Sequence, residues 1–171
     1  LILVSLGITA KDEVIVPDLT FVSTANAVKF TGATVVTVDI DETSLCISPD
    51  AIENALSAKT KAIIPVHLYG NPANMDEINE IANKYKLFVI EDAAEAHGAE
   101  LNGKKVGSLG NAGMFSFYGN KNITSGEGGM VTTDDEYLFK NLTTRNITFK
   151  ICKGNILNEI NEIKKSDGTP F

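Results

Sequence analysis

A chain of 171 residues, 43% of them hydrophobic, is the size of one domain and has enough apolar side chain for a core, which excludes a disordered or low-complexity protein. A net charge of −7, with charges mixed along the chain rather than blocked, argues against a nucleic-acid surface. No apolar run approaches the roughly 20 residues that span a bilayer and no charged-then-apolar leader is seen; Cys46 and Cys152 lie too far apart for a disulfide framework or zinc ribbon, so a reducing, cytoplasmic setting is expected.

Residues 1–8 read as the apolar end of a helix closed at Gly7, and because the chain opens on Leu1 rather than methionine, further sequence is expected upstream. Residues 14–16 are a β-branched run ended by Pro17, a buried strand. Residues 20–30 read as a helix with Phe21, Ala25, Ala27 and Val28 at helical spacing and Gly32 at its end; on this pattern alone Phe21 is a core contact. Residues 34–40 form the next strand, and Ser48 followed by Pro49 opens a helix with Ile52 and Leu56 facing the core. Another strand covers 61–66. Asn74 with Glu77 makes a capping-box pattern for a helix through Met75, Ile78, Ala82 and Tyr85. Repeated alternation of strand and helix defines an α/β fold with a mainly parallel sheet flanked by helices.

The next strand, 87–90, is a continuous apolar run ending in acids, with Glu91 and Asp92 at the strand end where open α/β sheets bind ligands. Asp92 suits a cofactor with a pyridinium nitrogen, because a carboxylate keeps such a ring protonated and able to accept electrons. Capping of the following segment by Glu91 or Asp92 is the equal alternative. Strand, loop and strand then follow over 114–131, with Lys121 between an apolar run and the glycines Gly126, Gly128 and Gly129. Ser116 and Thr124 or Ser125 offer hydroxyls to phosphate oxygens, and the glycines admit a bulky ligand. Taken alone, GEGG reads as an ordinary turn and a lone lysine as solvated surface. A metal site from His67, His97, Glu91, Asp92 and Glu95 lacks ligand spacing, no neighbour supports Cys46 or Cys152 as a nucleophile, and both histidines read as hydrogen-bonded polar residues at strand ends.

Four segments in order, 17–27 (PDLTFVSTANA), 65–70 (PVHLYG), 91–98 (EDAAEAHG) and 116–121 (SFYGNK) with 126–129 (GEGG), make the chain resemble the pyridoxal-phosphate-dependent sugar aminotransferases of the DegT/StrS family. The resemblance implies the large domain of the aspartate-aminotransferase-like fold. It implies pyridoxal 5'-phosphate held covalently by Lys121, which also shuttles protons, with Asp92 on the pyridine nitrogen, Phe21 stacked on the ring, Ser116 on the phosphate and Glu95 in the cofactor site. Glu95 and the Tyr118-Gly119-Asn120 run are similar to perosamine-synthase-like members. The implied reaction moves an amino group from glutamate to a nucleotide-linked 4-keto-6-deoxy sugar, and the complete protein is expected to be a homodimer without nucleic-acid or membrane partners. The lysine argues against the dehydratase branch, which has histidine there.

Relative to that family, residues 1–145 are expected to be a partial cofactor-binding large domain, without the upstream glycine-threonine phosphate loop, and 146–171 a divergent tail in which Ile156, Ile160 and Ile163 have helical spacing. Arg145 is the only arginine. The rival readings are a non-catalytic remnant of such an enzyme and a fold relative acting on another keto substrate.

Overall fold

β-Branched runs, capping residues and turn glycines set most of the elements. The computed structural model describes residues 1–143 and 150–152. In chain order these form α1 (Ile2–Ser5), β1 (Glu13–Pro17), α2 (Ser23–Lys29), β2 (Thr34–Val38), α3 (Pro49–Ala55), β3 (Thr60–Ile63), a 3-10 turn (Leu68–Gly70), α4 (Met75–Tyr85), β4 (Phe88–Asp92), a small hairpin of β5 (Glu100–Leu101) and β6 (Lys104–Lys105), β7 (Ala112–Ser116), β8 (Gly129–Thr132), α5 (Glu136–Thr143) and β9 (Lys150–Cys152). The main sheet has the order β2-β1-β3-β4-β7-β8-β9. β7 and β8 pair antiparallel and the other neighbours pair parallel, as the repeated strand-helix pattern requires.

Side chains alternate across a strand, so each apolar strand feeds two cores. Val14, Val16, Ala62 and Ile90 pack on one face with Ile2 and Leu3 of α1, Val28 of α2 and Leu138 and Leu142 of α5. Ile15, Ile63 and Val89 pack on the other with Ile52 of α3 and Ile78 and Ala82 of α4. The helices on that second face start where capping chemistry puts them. Ser48 accepts the Ala51 N–H at 3.3 Å with Pro49 at the first helical position, and Asn74 accepts the Glu77 N–H at 3.4 Å.

Several sequence-based boundaries shift. The helix expected from residue 20 begins at Ser23, and Phe21 is 72% exposed rather than in the core. The strand expected over 34–40 ends at Val38, while Ile40 bridges to Ile47 across a tight loop. The strand expected over 61–66 ends at Ile63, although Val66 still bridges to Asp92. β4 runs two residues further than its apolar stretch and carries Glu91 and Asp92 inside the strand, where each acid finds buried donors. β7 passes so close to the chain at Gly107 that a Cβ on Gly113 would meet the Gly107 backbone and stand 2.7 Å from Thr132 Oγ1. The helical spacing at Ile156, Ile160 and Ile163 lies outside the described residues.

Candidate active site

Strand alternation sends the two consecutive acids of β4 to opposite faces. Asp92 falls on the α2 side. Its Oδ2 accepts the Thr24 hydroxyl at 2.7 Å and its Oδ1 the Ala94 N–H at 3.2 Å, so it turns the following segment as well as facing the ligand end of the sheet. Its backbone is fixed from β3's continuation, through Asp92 N–H to Pro65 O at 2.9 Å and His67 N–H to Asp92 O at 3.0 Å. Asp92 is only 7% exposed.

Lys121 reaches the same place from the loop after β7. The loop is built from its own polar atoms: Thr124 Oγ1 donates to Phe117 O at 3.0 Å, the Gly126 N–H donates to Thr124 Oγ1 at 2.9 Å, and Ser125 Oγ donates to Glu127 O at 2.7 Å. The sequence offered Thr124 or Ser125 as phosphate partners; in the structure both hydroxyl hydrogens hold the loop together. Ser116 differs, because its oxygen accepts the Tyr118 N–H at 3.3 Å and its hydrogen is left to donate. Lys121 Nζ stands 3.6 Å from Glu95 Oε1, with both side chains mostly covered. Glu95 Oε2 accepts the Tyr69 N–H at 3.0 Å and so holds a non-glycine residue at φ +53°.

Phe21, Asp92, Glu95, Ser116 and Lys121 line one cleft of about 570 Å³. Phe21 stands at its mouth, consistent with its exposure and not with a core contact. A second cavity, of about 320 Å³, lies between α1, α2 and the sheet; it is lined mainly by apolar residues such as Ile2, Ala27 and Met130 and contains no lysine. Asp92 lines both spaces, but of the two only the larger cleft also holds Lys121, Glu95 and Ser116; its volume lies within the usual range of about 300 to 1,000 Å³ for cofactor sites. A lysine, a carboxylate, an aromatic edge and a hydroxyl around one cleft fit a cofactor with an aldehyde, a ring nitrogen, a ring face and a phosphate.

The other acid, Glu91, was not resolved into a role by sequence reasoning. It is fully buried on the α4 side, where Oε2 accepts from Gly107 N–H at 2.6 Å and Oε1 accepts from Leu109 N–H at 2.6 Å and Gly110 N–H at 2.7 Å. His67 Nε2 completes the set at 3.0 Å. Both nitrogens of His67 are engaged, as expected for a satisfied polar residue. The same expectation fails for His97. Its two ring nitrogens are buried without a hydrogen-bond partner among the described residues, and the ring packs against Phe115 and Phe117 at centroid distances of 5.5 and 5.7 Å. Burial pushes its pKa down from 6.5; the Ser116 backbone, close by but outside hydrogen-bonding geometry, opposes this, and the Lys121 charge adds to it.

A mainly parallel sheet with these side chains at its carboxyl ends is a fold of the aminotransferase type. The chain belongs to the DegT/DnrJ/EryC1/StrS aminotransferase family, whose model matches residues 1–152. It is 52% identical over 139 residues to a GDP-perosamine synthase of Escherichia coli O157:H7, covering 81% of this chain and 38% of that protein. An aminotransferase from Psychrobacter cryohalolentis superposes with a TM-score of 0.82 at 48% identity, covering 83% of this chain and 36% of the other. NtdA from Bacillus subtilis, solved with bound cofactor PMP, gives 0.77 at 38% identity, covering 90% of this chain and 36% of the other. The chain thus spans well under half the length of these relatives.

Proposed function

We propose that this chain is the cofactor-binding part of an enzyme that moves an amino group from glutamate to a nucleotide-linked 4-keto-6-deoxy sugar, using pyridoxal 5'-phosphate. The single observation that carries this reading is the convergence of Lys121 and Asp92 on one cleft at the carboxyl ends of the strands. The family and the resemblance to a GDP-perosamine synthase support the substrate class.

When bound, pyridoxal phosphate supplies an electron sink for breaking the donor's α-C–H bond. Lys121 Nζ would hold the cofactor covalently and, when free, would be the group that moves the donor's proton. Glu95 lies beside that nitrogen and fixes the turn at Tyr69, which shapes the cleft wall. Asp92 would present a carboxylate to the ring nitrogen, Phe21 would cover the ring face, and Ser116 would donate to the phosphate. Such contacts would serve to hold reacting atoms near the ~3 to 3.5 Å that transfer requires. Residues 1–145 are the partial large domain in this reading, and the protein works as a cytoplasmic homodimer.

The test is to incubate the protein with pyridoxal phosphate, reduce with borohydride and map the modified lysine by peptide mass spectrometry. Label at Lys121 that disappears in Lys121→Ala is the expected result. Label scattered over surface lysines, or none, would favour the second reading, a non-catalytic remnant.

A further inference from the structure

Asp92 has a neighbour that the sequence did not single out. Thr24 sits in the first turn of α2, is 5% exposed, and places Oγ1 2.7 Å from Asp92 Oδ2. This is a contact between residues 68 positions apart in the chain. A carboxylate only accepts, so Thr24 is the donor. Thr24 Oγ1 lies 3.4 Å from Thr20 Oγ1, and since the Thr24 hydrogen is committed to Asp92, Thr20 is the donor in that weaker contact. Thr20 itself lines the cleft. The result is a directed chain, Thr20 to Thr24 to Asp92, running from the cleft wall to the carboxylate.

We infer that Thr24 is a positioning residue: by fixing Oδ2 through its hydroxyl, it sets the rotation of the Asp92 carboxylate and leaves Oδ1 to face the ring nitrogen of a bound pyridine cofactor. The inference rests on the function proposed above. Two features support it. The backbone N–H of Ala94 reaches Oδ1 only at 3.2 Å and does not by itself fix the carboxylate plane, whereas the 2.7 Å contact from Thr24 is short and comes from a separate element. Thr24 is also almost fully buried, so its hydroxyl is held at the carboxylate rather than spent on bulk solvent.

The test compares Thr24→Val, which keeps the shape and removes the donor, with Thr24→Ser, which keeps the donor. Three quantities are read: affinity for pyridoxal phosphate, the pH midpoint of the visible band of the lysine-bound cofactor, and thermal melting without cofactor. The expected result for Thr24→Val is cofactor binding weakened on the order of tenfold or more, the effect of losing one hydrogen bond to a charged group, together with a displaced pH midpoint; Thr24→Ser restores both. A purely structural role would lower the cofactor-free melting temperature and leave the pH midpoint where it was, and that outcome overturns the inference. Borohydride labelling of Lys121 in the same samples separates the two levels. Label at Lys121 with an unmoved midpoint in Thr24→Val overturns the role of Thr24 alone; absence of label in the unsubstituted chain overturns the proposed function and this inference with it.

Discussion

His67 Nε2 lies 3.0 Å from Glu91 Oε2 with both side chains fully buried, and the far side of the imidazole is fixed as well, because Nδ1 accepts the Ala73 N–H at 3.0 Å. An accepting Nδ1 leaves the ring hydrogen on Nε2, so His67 donates to Glu91. With the N–H groups of Gly107, Leu109 and Gly110 also donating, the Glu91 carboxylate joins β4, the segment after β3 and the loop before β7. That loop leads into the strand ending at Ser116.

Glu91→Gln tests this arrangement. An amide has only one accepting oxygen, so its NH2 group must face at least one of the four donors. The expected loss is about 2 to 4 kcal/mol of unfolding free energy, as for buried groups left facing the wrong partner. Urea denaturation measures it. A loss below about 0.5 kcal/mol, the scale of an ordinary surface substitution, would mean that the 107–110 loop is held by other contacts.

Glu95 joins two functions that substitution can separate. Glu95→Ala removes the acceptor for the Tyr69 N–H, which sits in a left-handed turn, whereas Glu95→Gln keeps an acceptor and removes only the charge beside Lys121. Amide exchange at Tyr69 should accelerate in Glu95→Ala and remain near the unsubstituted rate in Glu95→Gln. Stability should change by no more than about 1 kcal/mol in Glu95→Gln, because a partly exposed ion pair contributes little. Equal exchange rates in the two variants would remove Glu95 from the account of the Tyr69 turn.

His97 gives a prediction with a definite sign. Burial, helped by the Lys121 charge, lowers its pKa below 6.5 in the folded protein. The unfolded chain therefore binds this proton more tightly than the folded one. The contribution of neutral His97 is fully present above about pH 6.5 and is lost as pH falls through the folded midpoint. His97→Leu, which keeps the packing against Phe115 and Phe117 and removes two unpartnered nitrogens, should flatten the loss of stability between pH 6.5 and acid. Its stability at pH 7 should stay within about 1 kcal/mol of the unsubstituted chain or exceed it. Denaturation midpoints across that range decide; a parallel acid decline in both proteins assigns it to other groups.

Much of this architecture is legible in the sequence because its signals are local. The β-branched run at Val14, Ile15 and Val16, the Ser48-Pro49 start and the Asn74 cap each act within a few residues, and each marks an element that the structure contains. The candidate residues Phe21, Asp92, Glu95, Ser116 and Lys121 line one cleft, and motif order, rather than any single motif, pointed to them. What was not legible depends on partners distant in the chain. Nothing near Glu91 reveals that it meets N–H groups 16 to 19 residues onward. Likewise, Thr24 looks like any helix-start threonine until β4 is placed beside it. The strand ran on to Asp92 because those distant donors satisfy charges that would otherwise end an apolar strand.

Asp92 provides the last prediction, and the most direct one about chemistry. Asp92→Asn keeps an oxygen to accept from Thr24 but turns its NH2 toward the Ala94 N–H, so the fold should survive with a loss of about 1 to 3 kcal/mol, while the charge proposed to face the ring nitrogen is replaced by a neutral amide. A neutral partner no longer favours the protonated ring, and the electron-accepting capacity on which donor C–H cleavage depends falls. The half-reaction with glutamate, followed as the single-turnover loss of the visible band of the lysine-bound cofactor, should slow about 10²- to 10³-fold, the usual cost of removing one preorganised electrostatic group. Lys121→Ala should instead abolish the borohydride-trapped cofactor while leaving Asp92 and Thr24 in contact. If Asp92→Asn reacts within about threefold of the unsubstituted protein, a change of less than about 1 kcal/mol in barrier, Asp92 is a structural acid at the end of β4 and the ring nitrogen is served by another group.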